Sequence, residues 1–394
     1  MNKKRLAGVL GLAAGGMVVW VAFSGRRPPA LPTPLTFQSG GKVEKLTLSP
    51  DGRLLADDCP AAQVKLFDTA TGDQKYAFGV RTDWMVFSSD GRRLLTVDQR
   101  QSPSAPNGVV QTWDTATGAQ VSRFVVPPAL LGLASAPRPS VASLSPDLRR
   151  VVVRAPQRSA VYDLGTGRLL KALPAPTGRY TLAFSPDARW LAVGDESGTG
   201  GLVLWDTKTW RPVHALDRHG VGVSGIRFSP DGTRLALGSK AGLAWWDTRT
   251  WKPEGRFAMP AQGGLSRGYY FFSSDSQSLL TNEWHSSVTL HQVDCGTGRE
   301  TLTAQGQLTQ HVSLAGNRAE TCGLPGKFQL LYRETYCIWD TRRRQVLYQI
   351  KIPPGPNSSL MGDFQFHVSD LSANGHVFAA GGSDDGVIRV WRLP

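Results

Sequence analysis

The residues able to do chemistry are few and scattered. Seven histidines, His214, His219, His285, His291, His311, His367 and His376, are spread over the second half of the chain. None falls in a spacing such as His-Glu-x-x-His, which sets two imidazoles on one helix face for a metal. No Gly-x-Ser-x-Gly elbow is present to expose a serine nucleophile. Glu283 and His285 are two residues apart, and a carboxylate beside an imidazole is an acid–base pair, but no nucleophile or metal ligand accompanies them. Gly194 to Gly201 is glycine-rich, yet a phosphate cradle requires a helix N-terminus after the glycines, and this stretch links two strands. Cys59 and Cys295 stand alone, whereas Cys322 and Cys337 lie on neighbouring strands, about two residues out of register. A cross-strand disulfide is one reading of that pair and two buried free thiols the other, which is favoured. The expectation is of no catalytic residue, no cofactor and no metal.

What does recur is turn chemistry. Ser229-Pro230-Asp231-Gly232 follows an alternating strand at Ile226 to Phe228 and precedes strands at Leu235 to Leu237 and Leu243 to Trp246. Proline presets φ, aspartate bonds the backbone just downstream, and glycine accepts positive φ. Related turns stand at Ser49 to Gly52, Ser88 to Gly91, Ser145 to Asp147, Ser185 to Asp187, Ser273 to Asp275 and, more weakly, Ala315 to Asn317 and Ser372 to Gly375. Each is followed by one ending: Phe67-Asp68, Trp113-Asp114, Tyr162-Asp163, Trp205-Asp206, Trp246-Asp247, Val293-Asp294, Trp339-Asp340 or Trp391-Arg392. Successive endings lie 41 to 52 residues apart, which makes eight units.

Four strands per period near forty-five residues, closed by Trp-Asp, is a repeat signature. On these residues, 35 to 394 resemble the WD-repeat β-propeller family, in a membrane-anchored form of bacterial type. The resemblance implies an all-β fold: a single propeller, eight blades in the preferred count and seven in the alternative. Unit eight has only three strands of its own, so Leu35 to Phe37 is expected to supply the fourth and close the ring. Phe87, Leu144, Phe184, Phe228 and Phe272, and Trp113, Trp205, Trp246, Trp339 and Trp391, are expected in the core.

In that family the Ser-x-Asp and Trp-Asp turns share one face. The long insertions here, Gln99 to Gly108, Pro127 to Ser140, Leu324 to Glu334 and Pro353 to Phe366, then fall on the other, which commonly marks a binding face. Aromatic and histidine residues expected there are Trp84, Tyr180, Tyr269, Trp284 and His285, and Trp284 leads them because it follows Glu283 into an exposed turn. These five are the candidate protein-binding residues; packing under loops is the competing role for each.

Residues 1–27 begin with Lys3, Lys4 and Arg5 and continue uncharged from Leu6 to Ser24. As a helix that stretch spans about 29 Å, close to the hydrocarbon thickness. An uncleaved anchor is the preferred reading, and a signal peptide cut after Ser24 is the other. The basic start favours an extracytoplasmic propeller. Residues 28–34 read as a Pro-rich linker. The net charge is +13, of which five positive charges lie in residues 1–27. The remaining basic residues are dispersed, so nucleic acid is not an expected partner. The function expected is a non-enzymatic, membrane-tethered scaffold for protein partners, the alternative being a hydrolase or lyase with its site in the central channel.

Overall fold

One serine and one acid, the acid replaced by an asparagine in the last sheet, build the same knot of hydrogen bonds at each described first turn. Ser229 Oγ donates to Asp231 Oδ1 at 2.6 Å and accepts from the Arg234 amide at 2.9 Å, while Asp231 Oδ1 accepts from the Thr233 amide at 2.9 Å. The same serine–acid bond joins Ser49 to Asp51, Ser88 to Asp90, Ser145 to Asp147, Ser185 to Asp187 and Ser273 to Asp275, and in the last sheet Ser372 donates likewise to the amide oxygen of Asn374. The serine and the acid thus satisfy most of the turn's backbone donors locally, while the Asp231 amide donates to Ser276 Oγ of the next sheet at 3.2 Å.

The Asp-Thr turns work alike. Asp247 Oδ1 accepts from the amides of Arg249 and Thr250 at 2.9 and 2.6 Å. Thr248 Oγ1 donates to the Gly232 carbonyl at 2.6 Å, stapling the two turn types together; Thr69, Thr115 and Thr207 make the equivalent bond. Such backbone donors hold the carboxyls of Asp114, Asp163, Asp206 and Asp247 below the usual range. These acids are therefore committed to turns.

A computed structural model describes residues 31–59, 63–98, 108–126, 140–155, 158–174, 180–196, 201–216, 222–239, 241–258, 265–273, 275–284, 288–305, 307–312, 318–322, 335–340, 345–351, 368–382 and 385–394. Among them every helix-or-strand element is a strand, and the strands form eight four-stranded antiparallel sheets. The first strand, β1 (Leu35–Gln38), belongs to the last sheet. Sheet one holds β2 (Lys45–Leu48), β3 (Leu54–Cys59), β4 (Gln63–Asp68) and β5 (Gln74–Phe78). Sheet two holds β6 (Trp84–Phe87), β7 (Arg93–Asp98), β8 (Val109–Asp114) and β9 (Gln120–Val125). Sheet three holds β10 (Ser140–Leu144), β11 (Arg150–Ala155), β12 (Arg158–Asp163) and β13 (Leu169–Pro174). Sheet four holds β14 (Tyr180–Phe184), β15 (Trp190–Asp195), β16 (Leu202–Asp206) and β17 (Arg211–Leu216). Sheet five holds β18 (Val223–Phe228), β19 (Arg234–Ser239), β20 (Gly242–Asp247) and β21 (Pro253–Ala258). Sheet six holds β22 (Leu265–Phe272), β23 (Ser278–Trp284), β24 (Val288–Asp294) and β25 (Glu300–Gln305). Sheet seven holds β26 (Gln307–Val312), β27 (Arg318–Cys322), β28 (Thr335–Asp340) and β29 (Gln345–Lys351). Sheet eight holds β30 (Val368–Leu371), β31 (Val377–Gly381), β32 (Val387–Arg392) and, alongside β32, β1.

The pairing of β1 with β32, Leu35 opposite Val390 and Gln38 opposite Val387, is the closure expected from the sequence. Each sheet packs on the next in chain order, and sheet eight packs back on sheet one through β30 and β31 against β2. Both faces of a sheet are thereby covered, so β31 is buried along its whole length. Phe87, Phe184 and Phe272 are buried before their turns, as are Trp113, Trp205, Trp246 and Trp391 at the endings. Leu144 and Phe228 are partly buried against neighbouring clusters.

Two local features depart from the repeat. Trp245, fully buried, donates its indole N–H to the Cys295 carbonyl of the next sheet at 3.0 Å. A Cβ on Gly255, opposite it, would lie 2.3 Å from the Trp245 ring, so only glycine fits there. Secondly, Trp210 (φ 54°) and Trp251 (φ 57°) occupy the left-handed turn position held elsewhere by Gly72, Gly118, Gly167 and Gly298.

The helix expected over residues 1–27 lies outside the described residues; among the described residues no helix is long and apolar enough to cross a membrane. Of the linker, residues 31–34 are described, and Leu31 packs against the cluster that contains Tyr348, Phe378, Trp391 and Leu393. Cys59 and Cys295 are buried free thiols. The register sets Cys322 opposite Tyr336 and Cys337 opposite Thr321, one position apart rather than two.

Candidate interaction face

A four-stranded meander has two ends. One carries the Ser-x-Asp and Asp-Thr turns, which join first to second and third to fourth strands. The other carries the second-to-third turns and the links from each fourth strand to the next sheet. The four longest links, from Asp98 to Val109, Val125 to Ser140, Cys322 to Thr335 and Lys351 to Val368, all leave from this second end. Their residues lie largely outside those described, but the strands fix where they attach.

The five residues singled out in the sequence are distributed over sheets two, four and six. Trp84 opens β6 opposite Val97 and is partly buried against the apolar cluster shared by sheets two and three. Tyr180 opens β14 opposite Asp195. Tyr269 lies inside β22, in the bulged stretch between Leu265 and Tyr270, because that strand begins earlier than its sequence suggests. Trp284 is the last residue of β23, opposite Val288, so the backbone is still paired where a turn was expected. His285 lies outside the described residues. Tyr269 and Trp284 thus share a sheet, while Trp84 and Tyr180 stand on others.

Charged groups at this end were not singled out. The second strands β7 and β15 close on Asp98 and Asp195, and Asp57 and Asp58 precede the final Cys59 of β3; the signal was visible as apolar runs leading into aspartate. Lys45 Nζ bonds Asp58 Oδ2 at 3.0 Å and the Thr82 carbonyl at 3.2 Å, tying sheet one to the chain approaching sheet two. Asp57 is fully buried, and among the described residues neither carboxylate oxygen completes a hydrogen bond. Burial pushes its pKa up to about 7, against the opposing pull of the adjacent Ser39 hydroxyl and the Lys65 ammonium. The Lys65 ammonium is held by the Ser39 carbonyl. Ser39 follows β1, so this polar pocket lies at the closing seam.

This end thus gathers the attachment points of the four longest links with the strand ends that carry Trp84, Tyr180, Trp284, Asp98 and Asp195. Among the described residues there is no group of three or more His, Cys, Asp or Glu able to hold a metal ion. His291 is paired through Nδ1 with Glu300 at 2.5 Å and lies within sheet six. The glycine-rich stretch from Gly194 to Gly201 begins within β15, and the element after it is the strand β16.

Comparison with known proteins agrees with this architecture. A family model described as "WD domain, G-beta repeat" matches residues 167–206, 210–247 and 358–392. The first two stretches begin beside a fourth strand and end at the third strand of the following sheet, so a repeat in sequence straddles two sheets in space. The chain is also similar to the WD repeat-containing protein SL1-17 of Schistosoma mansoni, 34% identical over 80 residues, which is 20% of this chain. That match spans about a quarter of the relative's length, 26%.

Proposed function

We propose that the chain is a WD-repeat propeller of eight blades throughout residues 35–394, acting as a non-enzymatic scaffold that binds protein partners and is tethered to a membrane by residues 1–27. WD repeats generally serve protein–protein interaction, and this reading extends that role to the whole chain. The observation that carries it is the attachment of all four longest links at one end of the sheets, beside Trp284 and Tyr180. Repeat proteins tolerate insertions on any exposed turn, so their confinement to one end points to use of that end. The Ser, Thr and Asp residues of the opposite end are engaged in their own turns and have little left to offer a partner. The uncharged run from Leu6 to Ser24 supports the tether.

Affinity capture of the full chain from detergent-solubilised membranes tests the proposal. Wild type is compared with Trp284→Ala and with a variant whose residues 127–139 are replaced by a short Gly-Ser link. Partner recovery is expected to fall about tenfold or more in at least one variant, the scale of losing a single interface anchor. An unchanged partner set in both overturns the proposed face.

A further inference from the structure

We infer that the end of the sheets carrying the Ser-x-Asp and Asp-Thr turns faces the lipid bilayer, and that the end bearing the long links points away from it. The inference rests on the tether reading above and adds a direction to it.

The direction follows from the closing strand. β1 runs antiparallel to β32, with its first residue, Leu35, opposite Val390 and its last, Gln38, opposite Val387. The chain therefore reaches sheet eight at the Trp391 end. That end is also where β30 turns into β31: the Leu393 amide donates to the His376 carbonyl at 2.7 Å, and the Asn374 amide to the Pro50 carbonyl at 3.0 Å. It is the Ser-x-Asp end. Leu31, four residues before β1 begins, already packs on a cluster of which Leu371, Phe378, Trp391 and Leu393 stand at this end, so the chain is against the body before it enters beside Val390.

Length then decides the matter. From Arg27, the last residue of the expected span, to Leu31 is four residues, which extend at most about 14 Å. A six-residue strand such as β4 is about 20 Å long. A chain leaving the bilayer at Arg27 cannot pass along the whole flank of a sheet before meeting the Leu31 site. The body must therefore sit with its Ser-x-Asp end close to the headgroups, and the occupant of that face is the lipid surface.

Energy transfer from protein to membrane tests this. Cysteines are placed at the two ends of one strand, Ala70→Cys after β4 and Gln63→Cys at its start; both residues are exposed. Each full-length variant is labelled with a donor dye, corrected for labelling of the parent chain, and reconstituted in vesicles containing an acceptor-labelled lipid. Transfer is expected to be at least about twofold stronger from position 70 than from position 63, since transfer falls steeply with a strand's length of about 20 Å. Equal or reversed transfer in chains that float with the vesicles overturns the orientation and leaves the tether reading intact. Failure of the chain to float with vesicles overturns both.

Discussion

The Asp370 carboxylate accepts a hydrogen bond at 2.7 Å from the amide of Leu48, 322 residues away in the chain, across the seam where the last sheet meets the first. Asp370 is 7% exposed, so the bond is made out of water. Removing a buried acceptor leaves its donor stranded, which costs about 1–3 kcal/mol. Asp370→Ala is expected to lower stability by that amount in denaturant unfolding. Asp370→Asn, which keeps an acceptor oxygen, is expected to lose less. Equal losses would show that the bond to Leu48 does not matter.

Asp57 sets a second test at the same seam. Its pKa stands at about 7 in the fold against 3.8 for the ordinary group, chiefly through burial. A raised value means that the folded state binds the proton more tightly than the unfolded one. The stability this site contributes is therefore complete below about pH 4 and is lost as pH rises through about 7. Asp57→Asn, neutral at every pH, is expected to flatten the stability profile between pH 4 and 8 and to exceed wild type at pH 8. Urea midpoints across that range measure it, and an unchanged slope argues against a buried titrating Asp57.

Gly255→Ala probes the contact between sheets five and six. The new methyl would sit 2.3 Å from Cζ2 of Trp245, whose ring is fully buried and fixed by its bond to the Cys295 carbonyl. Overpacking a rigid site costs about 1–3 kcal/mol. A melting temperature lowered by several degrees, with Trp245→Phe/Gly255→Ala partly restored, is the expected result.

Trp251→Gly sets two effects against each other. The left-handed backbone at Trp251 costs an L-residue about 1–2 kcal/mol relative to glycine. Against this, the ring meets Trp190 edge-on at 5.6 Å and His214 at 5.4 Å, and it packs on the cluster between sheets four and five. Truncating a large aromatic costs about 3–5 kcal/mol when fully buried. Trp251 is partly buried, so a net loss of about 1–2 kcal/mol is expected in equilibrium unfolding. A stabilised variant would show that strain outweighs packing.

Much of the fold was legible because its signals are local. A Ser-x-Asp turn closes its own hydrogen bonds within six residues, as Ser229 to Arg234 does, and so announces itself wherever it occurs. The closing role of Leu35 to Phe37 was legible by counting strands. Trp245 and Asp57 were not, because what decides each comes from other sheets: the Cys295 carbonyl for Trp245, and burial at the closing seam for Asp57. Trp284 was placed in a turn because Glu-Trp-His after an apolar run reads as a strand's end, yet pairing continues to Val288. The aspartates closing the second strands were visible as letters, but nothing local distinguishes a solvated strand end from the buried Asp57. Exposed Val121, Leu169 and Val213, on β9, β13 and β17 of three consecutive sheets, were hidden for the same reason.

The antiparallel pairing of β1 with β32 also has a mechanical side. A tension applied to the residues preceding β1, resisted by a grip on the far end of the sheets, runs along the strand axis rather than across it. The hydrogen bonds between Leu35–Gln38 and Val387–Val390 then bear the load together, in shear, instead of parting one by one. A molecule hung from its first strand in this way resists pulling best in the direction in which such a suspension would be pulled.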